Sequence, residues 1–107
     1  MQMHGMNTGL SENDLQLICQ AAQALPDIQQ LILFGSRAKG TYKPGSDVDL
    51  AIKCNTASYD TAVKLAGILN EETPLPYFFD VVDYLSISEP ELTQHIDRVG
   101  KVLFAHS

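Results

Sequence analysis

Short apolar runs recur along the chain, and they predict the strands of a sheet. Residues 31–34 are apolar throughout, and residues 49–52 are apolar after the first. Runs of this length suit strands that are buried on both faces. Residues 77–84 are rich in aromatic and β-branched side chains, which favours a third strand. Residues 101–105 predict a short final strand.

Between the predicted strands, apolar residues recur every three or four positions, which predicts amphipathic helices. The first begins after Ser11, a residue type that suits an N-cap, and stops before Pro26. The second spans residues 62–69. The third begins at residues 88–91, a Ser-Glu-Pro-Glu capping-box pattern, and stops at Gly100. The alternation of helices and strands predicts an α/β fold with one mixed sheet packed with helices.

Length and composition indicate one small domain. The chain has 107 residues, of which 45% are hydrophobic and 19% charged, as in an ordinary globular protein. Residues 1–10 lack periodicity and predict a disordered N-terminal tail, so we assign the domain to residues 11–107. No apolar run approaches the roughly 20 residues that span a bilayer, and no signal segment opens the chain. The expected location is the cytoplasm.

Asp47 and Asp49 are the first candidates for chemistry. They flank Val48 at the start of a predicted strand, where alternation points both carboxylates to the same side. Two carboxylates side by side repel each other unless a cation lies between them. Magnesium prefers oxygen ligands and usually keeps part of its shell for substrate phosphate. The spacing therefore predicts a metal site beside a phosphate-binding turn.

The phosphate-binding turn is predicted at Gly35 and Ser36, directly after the first strand. Glycine allows the backbone to approach a phosphate closely, and the Ser36 hydroxyl and the following amides can donate to its oxygens. Residues 36–39 would form one helical turn. A plain strand-ending turn with Ser36 as an N-cap is the alternative, and the two are compatible. Arg37 would either neutralise a triphosphate or pair with a surface carboxylate.

Charge narrows the choice of ligand. The formal net charge is −6, which argues against a nucleic-acid-binding surface over most of the molecule. Three of the seven Lys and Arg residues nevertheless fall in the loop beside the glycine turn, at Arg37, Lys39 and Lys43. Local positive charge in an acidic protein fits a nucleoside triphosphate better than a polynucleotide.

Other side chains with chemical potential are expected to be structural. Cys19 and Cys54 are the only cysteines and indicate no disulfide framework, with Cys19 expected as a buried thiol on a helix. His4, His95 and His106 lack metal-ligand spacing to a cysteine or to each other. His95 is expected to be exposed or to face a partner.

The motif as a whole resembles a known family. The Gly-Ser pair at 35–36, followed after ten residues by Asp-x-Asp at 47–49, looks like the signature of the DNA polymerase β nucleotidyltransferase superfamily. The longer strings at 35–40 and 46–51 resemble its smallest members, the minimal nucleotidyltransferases. Residues 79–83 fit the same family. The resemblance implies a single small polymerase-β-like domain.

A third carboxylate from a neighbouring strand is implied by the resemblance, and Asp80 is the candidate. It lies within an apolar strand between Phe79 and Val81, where burying an unpaired charge would be costly without a metal. Asp83 falls on the opposite face by alternation, and a structural role is expected for it. A one-residue bulge would exchange the two roles. Asp47, Asp49 and Asp80 would together hold two magnesium ions.

The resemblance also implies an activity and a partner. Minimal nucleotidyltransferases that act as antitoxins transfer AMP from ATP to a tyrosine of a helical HEPN protein, an RNase toxin. Larger superfamily members carry a second domain for the acceptor, so here a partner is expected to supply that surface. Two alternatives stay open. One is a catalytically inactive antitoxin that neutralises the toxin by complex formation. The other is nucleotidyl transfer to a small hydroxylated molecule such as an aminoglycoside.

Overall fold

The predicted strands and helices form, with some changes at their ends. A computed structural model of the chain describes residues 8–106. Its elements follow in the order α1 (Glu12–Gln23), β1 (Ile28–Phe34), α2 (Gly35–Lys39), β2 (Val48–Cys54), α3 (Tyr59–Glu71), β3 (Phe79–Asp83), α4 (Pro90–Val99) and β4 (Lys101–Ala105). A 3-10 turn, Tyr84–Ser86, follows β3.

The strands form one mixed sheet in the order β3-β2-β1-β4, which confirms the predicted α/β class. β1 pairs antiparallel with both β2 and β4, whereas β2 and β3 are parallel. A parallel neighbour requires a crossover, and α3 provides it. Two register pairs position the acidic residues. Phe34 lies opposite Asp49 across β1 and β2, and Asp49 lies beside Asp80 across β2 and β3.

The two faces of the sheet are buried in different ways. One face carries the larger core cluster, in which Val48, Leu50 and Ile52 of β2 pack with α1 and α3. The other face is covered by α4, whose Ile96 packs against residues that include Ala51. β2 is therefore buried on both faces along most of its length. At the start of β2, the second face carries the aspartates and not apolar side chains.

The start of α1 confirms the capping prediction. The Ser11 hydroxyl accepts a hydrogen bond from the backbone amide of Asp14 at 2.9 Å, and the Ser11 amide donates to the Asp14 carboxylate at 3.1 Å. This reciprocal pair satisfies two donors that the first turn of a helix leaves without partners.

The capping box predicted at the start of α4 is wrong. The N-cap of α4 is Glu89 and not Ser88, and it makes no side-chain capping bond. Pro90, whose fixed φ is already helical, sets the first helical position. The third helical position is then Leu92, which has no side-chain oxygen to complete a box.

The N-terminal boundary differs from the predicted one. Thr8 is buried, and its carbonyl accepts a hydrogen bond from Arg37 at 2.8 Å, so residues 8–10 belong to the packed structure. The rest of the predicted tail, residues 1–7, lies outside the described residues, as does His4. Within residues 8–106, no helix is long and apolar enough to cross a membrane.

Cys19 is half-buried and not fully buried as predicted. Its thiol lies 3.8 Å from the carbonyl oxygen of Leu103 in β4, to which it donates a weak hydrogen bond. Burial raises the pKa of Cys19, and it also raises the pKa of Cys54. Both thiols are therefore held in the protonated, less nucleophilic form.

Replacing Ser11 by alanine should destabilise the domain by about 1 kcal/mol, because the first turn of α1 loses its capping oxygen. Urea denaturation would measure the change. Ser88→Ala is the matched control, because this serine occupies the same position in a similar sequence pattern yet caps nothing. An equal loss of stability in both variants would contradict the assignment of the caps.

Candidate active site

Three carboxylates gather where β2 and β3 begin. Asp47 precedes β2 and Asp49 is its second residue, so both lie on the face opposite the buried Val48. Asp80, the second residue of β3, is the register partner of Asp49 in the neighbouring parallel strand. Asp47 and Asp80 are exposed, whereas Asp49 is half-buried. The structure thus brings together the three acids that the sequence singled out.

The electrostatic environment of Asp49 reflects the closeness of these acids. Burial raises the pKa of Asp49, and the negative charges of Asp80 and then Asp47 raise it further. A carboxylate in this position is ionised at a cost unless a cation compensates it. The cluster has the charge pattern of a cation site.

The burial expected for Asp80 is wrong, although its position beside Asp49 stands. The sequence pattern indicates a carboxylate buried in an apolar strand, but the side chain is exposed. Because β3 is at the edge of the sheet and Asp80 is near its start, solvent reaches the carboxylate. What links Asp80 to the site is its register with Asp49, which a single sequence does not reveal.

Asp83 lies on the other face of the sheet and is buried. Its Oδ2 atom accepts hydrogen bonds from the backbone amide of Ser58 and from the Ser86 hydroxyl, both at 2.6 Å. Its Oδ1 atom is buried and has no hydrogen-bond partner among the described residues. Asp83 therefore ties β3 to the residue before α3 and does not face the three acids.

Gly35 is required by the approach of β1 to Asp49. Its φ is +75°, a conformation that side chains disfavour, and a Cβ atom built there would collide with the Asp49 carboxylate. The glycine therefore keeps open the space beside that carboxylate. α2 begins at once, with Phe34 as its N-cap, so Ser36 lies in the first turn and is not the N-cap that the sequence suggests.

Among the described residues, Arg37 donates its hydrogen bonds to backbone carbonyls and not to a carboxylate. Only 3% of the residue is exposed, and its guanidinium donates to the Ser46 carbonyl from Nε at 3.2 Å and from Nη2 at 3.0 Å. Nη1 donates to the Thr8 carbonyl at 2.8 Å. The rings of Tyr42 and Tyr77 lie 5.1 and 4.8 Å from the guanidinium carbon. The guanidinium of Arg37 therefore holds backbone in this structure.

The hydrogen bonds from Arg37 to the Ser46 carbonyl connect this arginine to the acidic site. Ser46 directly precedes Asp47, so Arg37 fixes the backbone at the entry to the aspartate pair. The planar guanidinium supplies donors in a rigid fork and stacks on aromatic rings, which a lysine ammonium does not do. Sequence reasoning missed this role because it requires Tyr77, forty residues away, to be packed against α2.

His95, expected to be either exposed or facing a partner, is half-buried. Its ring makes an edge-to-face contact with Phe34, with ring centres 6.0 Å apart. His106 packs in a similar way against Phe104, with ring centres 5.4 Å apart. Both histidines therefore make packing contacts.

The donor set suits a magnesium ion that arrives with a nucleotide. Within residues 8–106, no three His, Cys, Asp or Glu side chains form a ready-made metal cage. Magnesium in phosphoryl-transfer sites is commonly held by one or two carboxylates together with substrate phosphates and water. Asp47 and Asp49, with the space that Gly35 leaves beside them, fit that arrangement better than a stand-alone ion site.

Comparison with known proteins identifies the family. Residues 16–107 match the polymerase beta nucleotidyltransferase family, and the chain belongs to it. It is 32% identical over 97 residues to the protein adenylyltransferase MntA of Shewanella oneidensis, an alignment that covers 86% of this chain. The chain spans 65% of the length of that curated relative.

Solved structures agree with this assignment. A toxin–antitoxin complex with AMP-PNP contains a chain that is similar to this one, with a TM-score of 0.74 and 27% identity. The match covers 88% of this chain and 75% of the other. A mutant of the toxin–antitoxin complex MntA–HpeT matches with a TM-score of 0.68 and 28% identity, over 92% of this chain and 75% of the other.

Asp49→Asn should stabilise the metal-free protein, raising Tm by on the order of 2–4 °C at neutral pH. The pKa of Asp49 is raised in the folded protein, so its ionisation favours the unfolded chain, and stability falls as the pH rises through that pKa. Thermal denaturation in EDTA would measure the gain, which should shrink as the pH is lowered and the wild-type carboxyl takes up its proton. A variant less stable than wild type at neutral pH would contradict the repulsion.

Arg37→Lys should lower the free energy of unfolding by about 1–3 kcal/mol, because the charge is kept but the forked contacts to the Ser46 and Thr8 carbonyls are lost. Denaturant unfolding would measure this, with the exposed Lys39→Gln as control. The affinity for a non-hydrolysable ATP analogue provides the second readout. Unchanged stability together with weaker nucleotide binding would instead assign Arg37 to the phosphates.

Proposed function

We propose that the protein is a magnesium-dependent nucleotidyltransferase that transfers AMP from ATP to a tyrosine of a HEPN-domain toxin, and thereby acts as its antitoxin. One observation carries the proposal. Three carboxylates, Asp47, Asp49 and Asp80, lie at the end of the sheet where β2 and β3 begin. They are beside a turn in which glycine leaves space next to Asp49. Acids gathered in this way suit the binding of a metal–nucleotide complex.

Each group in the site has a role in this reaction. Asp47 and Asp49 would hold the magnesium ions, which when bound neutralise phosphate charge and orient the reacting groups. Gly35 leaves room for the triphosphate, and Ser36 would donate to its oxygens. The acceptor oxygen forms a bond to the α-phosphorus, the bond from that phosphorus to the bridging oxygen breaks, and pyrophosphate leaves. The exposed Asp80 carboxylate is available to take the phenolic proton.

The relatives support an adenylyl donor and a protein acceptor in this proposal. The Shewanella oneidensis protein is named as a protein adenylyltransferase, and a similar chain occurs in a toxin–antitoxin complex with AMP-PNP. All residues of the predicted site motif are present in this chain, from the Gly-Ser pair to the three aspartates. This favours an active enzyme over an antitoxin that only binds its toxin. Keeping three repelling acids has a cost that binding alone would not require.

The double variant Asp47→Asn and Asp49→Asn should abolish the transfer of label from α-labelled ATP to the partner, by at least about a thousandfold. The fold should persist, because Asp47 is exposed and Asp49 is repelled by its neighbours. The assay would contain ATP, magnesium and the HEPN-domain partner, with the mass of the partner measured afterwards.

Asp27→Asn is the matched control, because this exposed aspartate precedes β1 at the end of the strand opposite Gly35. It should leave the transfer unchanged. A partner that gains the mass of AMP from the wild type supports the enzyme. Tight complex formation with no gain in mass would favour the antitoxin that only binds. Undiminished labelling by the double variant would remove Asp47 and Asp49 from the site.

A further inference from the structure

The sheet arranges the proposed site in a fixed order. Gly35 follows the end of β1, Asp47 and Asp49 lie at the start of β2, and Asp80 lies at the start of β3. The strands are neighbours in the order β3-β2-β1. These groups therefore stand in a row across the end of the sheet where β1 ends and β2 and β3 begin. The glycine turn and Asp80 are at opposite ends of that row, with the aspartate pair between them.

Phe78 extends this row on the side of Asp80. Its side chain is 60% exposed, whereas that of Phe79 is 1% exposed and lies in the core. Tyr77 and Phe79 contact each other edge-to-face, with ring centres 6.3 Å apart, so they share one side of the chain. Phe78 directly precedes β3, and its carbonyl pairs with the Val48 amide as that of a strand residue would. Continued alternation therefore puts its ring on the other side, the side of Asp80.

The backbone of Phe78 is held close to the aspartates. Its carbonyl accepts a hydrogen bond at 2.9 Å from the amide of Val48, the residue between Asp47 and Asp49. Among the described residues, β3 has no strand on its outer side. A large aromatic ring is thus displayed at an open flank of the acidic cluster.

The geometry of nucleotidyl transfer indicates which group would approach the acids from the β3 side. The attacking oxygen and the leaving oxygen lie on opposite sides of the phosphorus. If the leaving pyrophosphate is bound at the glycine turn on the β1 side, the attacking oxygen must arrive from the β3 side. Phe78 is an exposed aromatic side chain on that side.

We propose that Phe78 determines acceptor specificity, its ring packing against the ring of the tyrosine that receives AMP. This inference rests on the proposed function and extends it to the acceptor. Aromatic rings attract each other in edge-to-face or offset arrangements beyond the area that they bury. A serine or threonine acceptor has no ring to make that contact. The tyrosyl oxygen bonds to the α-phosphorus as pyrophosphate leaves, and its proton passes to Asp80 or water.

The test compares Phe78→Ala, Phe78→Leu and Phe78→Trp for transfer to the acceptor protein. Phe78→Ala should lower kcat/KM for the acceptor by about tenfold or more, because both the ring contact and the apolar area are lost. Phe78→Leu keeps the apolar area and should lower it by about two- to tenfold. Phe78→Trp, which restores a ring, should recover most of the activity. Val102→Ala is the control, because it shortens an exposed apolar side chain on β4, at the opposite edge of the sheet.

A second readout separates the acceptor from the nucleotide. The Kd for a non-hydrolysable ATP analogue with magnesium should be unchanged in all three Phe78 variants. A rise in Kd matching the loss of transfer would assign the ring to the nucleotide and overturn the inference. Wild-type transfer by Phe78→Ala would also overturn it. If the wild-type protein labels no acceptor, the proposed function itself is wrong. That result is distinct from the two results that would overturn the role of Phe78.

Discussion

The pairing of β1 with β2 brings the end of one strand against an ionisable side chain of the next, and the rest of the site depends on this contact. Phe34 lies opposite Asp49, so the residue after Phe34 turns directly over that carboxylate. No side chain fits between the two, and the positive φ of Gly35 lets the chain leave the strand at this point. The register of β1 and β2 therefore requires a glycine at this position, independently of any role in phosphate binding.

The same register concentrates negative charge that the fold must tolerate. Asp49 is half-buried beside two other acids, an arrangement that opposes folding when no cation is present. β2 can carry this load because Val48, Leu50, Ala51 and Ile52 are buried. Apolar burial along the strand is worth roughly 1.5–3 kcal/mol per large side chain, which outweighs repulsion confined to its first residues. Sites of this kind commonly trade stability for function.

The sequence predicts much of the fold and part of the site, and the division has a physical cause. Asp47 and Asp49 are close in the chain, and strand alternation alone gives them a common direction. Asp80 joins them only through the register of β2 and β3, and its exposure depends on β3 being an edge strand. A sequence pattern carries neither fact: the family resemblance implies a third carboxylate and alternation favours Asp80 over Asp83, but the burial expected for Asp80 is wrong.

Arg37 illustrates the same limit from the other side. Beside a glycine turn, a cationic side chain is reasonably assigned to phosphate, and only the packing redirects it. Its partners include the carbonyls of Thr8 and Ser46 and the ring of Tyr77, which come from three separate parts of the chain. The sequence shows that a cationic side chain follows the glycine turn. Only the tertiary contacts show that its guanidinium binds backbone carbonyls.

These contacts join the two halves of the proposed site. Arg37 holds the backbone before Asp47, and the Tyr77 ring against which it stacks directly precedes Phe78 in the chain. The Tyr77 hydroxyl in turn donates to Asp14 of α1 at 2.9 Å. The loop carrying the first acid and the segment leading to the third are therefore fixed to one buried guanidinium. Because side chains that hold reacting groups must be placed within about 0.5 Å, a shared anchor of this kind lets β2 and β3 present their acids as one unit.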